Sequence, residues 1–70
     1  MIENIKILMA QVDNKTKAVV AVADACGKSP QTVRAHWLCD SGFWSVPESE
    51  QETVNRVLQN VVKLEIEAKQ

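Results

Sequence analysis

Gly27-Lys28-Ser29-Pro30 places a glycine, a serine and a proline within four residues, between two runs with helical apolar spacing. Each of the three has a definite use at a helix boundary. Gly27 can adopt the left-handed conformation that ends a helix. Ser29 can accept a bond from an orphan backbone N–H as an N-cap. Pro30 then falls at the first helical position, where its missing N–H costs nothing. Ala23, four residues before Gly27, is small enough for one helix to pack closely on the other. The run from Val22 to Trp37 therefore predicts two short helices joined by a tight turn, a helix-turn-helix.

The rest of the chain supplies helices to support that pair. Ile2, Ile5, Leu8, Met9 and Val12 recur at spacings of three and four, with Ile7 off the stripe. Asp13-Asn14 interrupts this helix and can cap the next, expected from Lys15 to Cys26 with Ala18, Val19, Val22, Ala23 and Cys26 facing inward. The helix after Ser29 carries Val33 and Trp37 on its inner face, and Asp40-Ser41-Gly42 is expected to end it. Pro47 opens a last helix whose Ser49-Glu50-Gln51-Glu52 resembles a capping box. Val54, Val57, Leu58, Val61, Leu64 or Glu65, and Ala68 continue the helical spacing. From Val62 to Lys69 apolar and charged residues alternate, as in a half-buried strand. No Gly or Pro separates this tail from the helical pattern before it, and a helix is favoured. The expected architecture is one all-α domain over residues 1–70, with four or five helices.

Seventy residues bound the possibilities further. A chain this short buries only about 60% of its unfolded surface, and self-association would add burial. Residues 48–70 are the expected dimerisation segment, through Val61, Leu64 and Ile66. No run of roughly 18 apolar residues is present, so no membrane span is expected. The N-terminus lacks a basic region followed by an apolar block, which argues for an intracellular, cytoplasmic protein. Cys26, His36 and Cys39 lack an obvious fourth ligand for zinc, and the two thiols are expected to serve as small hydrophobes. No metal, cofactor or small-molecule ligand is implied. With one histidine and no glycine-rich phosphate loop, an enzyme is not expected. The acidic pairs Glu50 with Glu52 and Glu65 with Glu67 are expected to be solvated.

Formal net charge is −1, which does not advertise nucleic-acid binding, but its distribution is uneven. From Lys15 to Trp37, Lys15, Lys17, Lys28 and Arg34 stand against Asp24. From Ser45 to Gln70, five glutamates outnumber Arg56, Lys63 and Lys69. If Val33 and Trp37 point inward, the outward set is Ser29, Gln31, Thr32, Arg34, Ala35 and, at the margin, Leu38. In a major groove, Gln31 can pair with adenine and Arg34 with guanine, while Ala35 can touch a thymine methyl. Lys15, Lys17, Lys28, Ser29 and Thr32 are the candidate phosphate contacts. His36 is expected to be a partly buried packing residue and Trp37 core.

Ala23-x3-Gly27-x-Ser29-x2-Thr32-Val33, followed by Trp37, Gly42 and Val46-Pro47, resembles the small phage Cro and YdaS-type repressors of the lambda-repressor-like class. The resemblance covers roughly residues 12–58. Two positions depart from the pattern. Lys28 stands where the turn usually has an apolar residue, and Trp37 comes one residue late, with His36 in its place. The run from Ser29 to His36 is also similar to the recognition helix of LuxR-type regulators, whose helix continues further than Gly42 and Pro47 allow here. The Cro-like resemblance implies a homodimer that represses transcription at a two-fold symmetric operator in double-stranded DNA. The rival reading is a helix-turn-helix module, an antirepressor or adaptor, that binds a protein partner through Phe43 and Trp44.

Overall fold

Four helices follow one another among the described residues, 1–39 and 44–69 of the computed structural model: α1 (Ile2–Gln11), α2 (Lys15–Cys26), α3 (Pro30–Thr32, running without a break into a π-helical turn, Val33–Trp37) and α4 (Glu48–Ala68). The expected all-α class is what the chain adopts. The C-terminal segment is helix throughout its described length, not a strand. Helix wins there because 3.6-residue periodicity lets Val61 and Val62 both reach the core. A strand would send one of that pair outward.

The core forms where α4 crosses the first two helices, and α3 caps α2 from outside that layer. Ile5, Val22, Val33, Val54 and Leu58 are its largest fully buried side chains, with at least one contributed by every helix. Each stabilises the fold by roughly 1.5–3 kcal/mol through burial alone. The predicted stripe of α1 is the buried one: Ile5, Met9 and Val12 are enclosed, Ile2 and Leu8 half-enclosed, and Ile7 exposed.

The helix ends follow the expected chemistry in three places. Asn14 caps α2, its side chain accepting from the Lys17 N–H at 3.1 Å. Gly27 ends α2 at φ 67°, ψ 32°, and the Lys28 N–H donates to the Ala23 carbonyl at 3.0 Å, a Schellman closure. Ser29 Oγ accepts from the Thr32 N–H at 3.2 Å, and Pro30 follows at the first helical position.

The capping box does not form. Pro47 occupies the cap of α4 with no side-chain cap bond, so Ser49 is already inside the first turn. Gln51 instead donates from Nε2 to the Val46 carbonyl at 3.1 Å. Glu48 and Glu50 place negative charge at the positive end of the helix dipole.

Glu65 is not a solvated charge. Its Oε1 accepts from the Asp13 N–H and its Oε2 from the Asn14 N–H, both at 2.9 Å, so one carboxylate fastens the α1–α2 connection to the end of α4. Those two backbone bonds hold its pKa below the ordinary value of 4.5. Lys69 reaches Asp13 beside it in an ion pair. At the opposite end, the Cys26 thiol at the close of α2 donates to Glu50 in the first turn of α4. Helices α2 and α4 are therefore antiparallel neighbours, pinned at both ends by side chains from α4. Among the described residues, no helix is long and apolar enough to cross a membrane.

Candidate nucleic-acid interface

The turn between α2 and α3 sets the orientation of the candidate contact residues on α3. With Ser29 capping and Val33 fully buried, Gln31, Arg34 and Ala35 all lie exposed on the outer side of α3. Ser29 and Thr32 are exposed too, but their hydroxyls are joined: Ser29 Oγ donates to Thr32 Oγ1 at 2.9 Å. Their first role is to cap the helix.

The second half of this helix departs from α geometry. The Leu38 N–H donates to the Val33 carbonyl at 3.0 Å, an i→i+5 bond that widens the turn from Val33 to Trp37. In an unbroken α-helix, residues five apart stand about 140° from each other. The widened turn instead brings Leu38 back beneath Val33, and Val33, Trp37 and Leu38 are all buried. Two expectations are corrected by this. Leu38 is core, not part of the outward set, and His36 is exposed rather than partly buried.

Three adjoining surface depressions run past this helix. The first, of about 100 Å³, lies between Thr16, Val19 and Val20 of α2 and Pro30, Gln31 and Arg34. A second, of about 270 Å³, shares Thr16, Val19 and Arg34 with it and continues to Met9, Lys15, Leu38 and Cys39. The third, of about 370 Å³, shares Met9, Lys15 and Leu38 and ends at Lys6, Ala10 and Trp44. Lys6, Lys15 and Arg34 are the charged residues along this path, and no aspartate or glutamate lines it among the described residues. Lys15 is fixed within it, its Nζ donating to the Met9 and Val12 carbonyls at the negative end of the α1 dipole.

The other candidates are dispersed. Lys17 borders a separate groove with Val61, Leu64, Glu65 and Ala68, on the α4 side of α2. Lys28 is exposed in the turn. Lys6 was not a sequence candidate because it belongs to α1, outside the motif. Its position between the core stripe and the α2 entry was the only signal available. Lys6 Nζ lies 5.9 Å from the centroid of Trp44, at the outer limit of a cation–π contact. Trp44 is half-buried against the core at φ 53°, a left-handed conformation unusual for a bulky residue. The Ser45 N–H beside it donates to the His36 carbonyl at 2.7 Å, tying this loop to the end of α3. Phe43, with Asp40-Ser41-Gly42, lies outside the described residues.

Burial, reinforced by the bond to Glu50 and its charge, pushes the Cys26 pKa up to about 11, which keeps the sulfur protonated and unreactive near neutral pH. No disulfide joins Cys26 to Cys39. Among the dimerisation candidates, Val61 is buried in the chain's own core, whereas Leu64 and Ile66 are exposed. Two residues apart on a helix, Leu64 and Ile66 stand about 200° round from each other and cannot share a face.

No protein-family model matches this chain, and neither the curated proteins nor the solved structures include one that matches it.

Proposed function

We propose that this protein is a sequence-specific DNA-binding regulator of the small helix-turn-helix type, a repressor acting as a dimer on a two-fold symmetric operator. The observation that carries the reading is the continuous path lined by Lys6, Lys15 and Arg34 and by no acidic residue, beside the outer face of α3. On a chain of net charge −1, a path of a single sign marks where a polyanion is tolerated. In this reading α3 enters the major groove, with Gln31, Arg34 and Ala35 against base edges. Lys15 and Lys6 flank the backbone on one side, and Lys28, Ser29 and Thr32 meet phosphates at the turn. Lys17 is the weakest of the phosphate candidates, because it faces the groove beside Glu65.

The test is binding to a random duplex, followed by fluorescence anisotropy across salt concentrations. Three cationic phosphate contacts, Lys6, Lys15 and Lys28, give a slope of log K against log salt of about −3. Lys6→Gln and Lys15→Gln should each reduce that slope by about one, and Arg56→Gln, an exposed α4 side chain paired with Glu52 and away from both the path and the grooves, should leave it unchanged. A slope near zero, or an equal loss from Arg56→Gln, refutes the assignment.

The second reading, a module that binds another regulator, is supported by Trp44. Its half-buried ring borders the largest of the three depressions beside Lys6, a place suited to an acidic, aromatic-anchored partner segment. Trp44→Ala would abolish partner binding in that case.

A further inference from the structure

We propose that a second copy of this chain docks on the face shared by α1 and the C-terminal half of α4, with the two α4 helices antiparallel across a two-fold axis beside residue 65. This develops the dimeric part of the function proposed above, and it moves the interface away from the Val61 and Leu64 side of α4.

The face is defined by a shallow apolar groove of about 350 Å³ bordered by Leu8, Gln59, Val62, Lys63, Ile66 and Glu67. Ile66 is 53% exposed along this groove, and Leu8 borders it from α1, half-buried. A large aliphatic side chain left half in water along an apolar groove is the feature that calls for a cover.

Charge identifies the cover as the same chain. Lys63 and Glu67 are one helical turn apart on the outer edge of this groove, with opposite signs. An isologous contact must be self-complementary about its axis. An axis level with residue 65 sets Lys63 opposite Glu67 of the second copy, and Glu67 opposite its Lys63. The same axis brings the two Ile66 side chains within about 3 Å of each other along the helix direction. Both ionic contacts and the central apolar contact are thus generated by one operation. The opposite flank of α4 offers nothing equivalent. Its groove is about 120 Å³, and the Glu65 that borders it is already committed to the Asp13 and Asn14 N–H groups.

Sedimentation equilibrium of the full chain, without DNA, tests the proposal separately from any DNA activity. The parent should be dimeric at high micromolar concentration. Ile66→Lys should weaken the dimer about tenfold or more, and Leu64→Lys should leave it unchanged. Lys63→Glu alone and Glu67→Lys alone place like charges opposite each other and should each weaken association. The double exchange, Lys63→Glu with Glu67→Lys, should restore it, which loss of folding could not do. Circular dichroism of each variant confirms the helix content. A monomeric parent, equal losses from Ile66→Lys and Leu64→Lys, or a double exchange no better than the singles would overturn the proposal.

Discussion

Replacing Gly27 isolates the contribution of one dihedral angle to the whole motif. At φ 67° this residue sits in the left-handed region, and a Cβ added there meets no heavy atom within 4 Å. Steric overlap with the rest of the protein therefore contributes nothing, and the cost of Gly27→Ala is the backbone cost alone. Left-handed geometry disfavours an L-residue by about 1–2 kcal/mol. Stiffening the unfolded chain returns about 0.4–1 kcal/mol. The net expectation is destabilisation by about 1 kcal/mol, seen as a fall in Tm of about 4–8 °C for a domain of this size. Urea and thermal melts followed by circular dichroism at 222 nm would measure both. Gly27→Asn should lose less, because asparagine tolerates this region, and Gly27→Val should lose more, because β-branching does not. Equal stability of the glycine and alanine forms would show that the turn does not require a positive φ. A loss well beyond about 2 kcal/mol would show that the position does more than set the turn.

Three further outcomes follow from other parts of the fold. Glu65 has a depressed pKa, so its stabilising contribution is complete above the ordinary value of 4.5 and is lost as pH falls through the folded-state value. Glu65→Gln should accordingly melt below the parent at pH 7, and the two curves should converge on acidification below pH 4.5, as followed by thermal melts across that range. Leu38→Ala should cost about 2–5 kcal/mol in urea unfolding, as for any buried leucine, whereas a surface leucine at that position would cost almost nothing. Arg34→Ala should reduce affinity for the best DNA site by about 1–3 kcal/mol and relax preference at one base pair, while Lys28→Ala weakens all sequences alike. Comparable losses from both variants on specific and random duplexes would remove the distinction between reading and clamping.

Much of the fold was legible because its signals are local. Asn14, Gly27, Ser29 and Pro30 act on backbone groups within a few residues of themselves, and each stands where its chemistry predicts. The buried stripes of α1 and α2 were legible for the same reason, since a 3.6-residue period is fixed by backbone geometry. What was not legible depends on competition between distant parts. The π turn exists because Val33, Trp37 and Leu38 all gain by burial, and only the assembled core makes that gain outweigh a regular turn. His36 and Leu38 were misplaced together by that one bond. Glu65 looked like a surface charge because its partners, the Asp13 and Asn14 N–H groups, lie far away in sequence. The alternation of Val62, Leu64, Ile66 and Ala68 suggested a strand, whereas in the helix it sends Leu64 and Ile66 to opposite flanks. The candidate interface divided along the same line. Gln31, Arg34 and Ala35 were accessible to counting from Val33, but the link from Arg34 through Lys15 to Lys6 needed the assembled surface where α1, α2 and the end of α3 meet.

Selection of bound DNA from a random duplex library, at near-physiological salt, bears most directly on the central claim. Sequence-specific recognition by α3 predicts an enriched motif, with inverted half-sites about one helical turn apart when two copies bind together. Folded protein that returns no enriched sequence would contradict that claim and leave the Trp44 surface as the place to look for a protein partner.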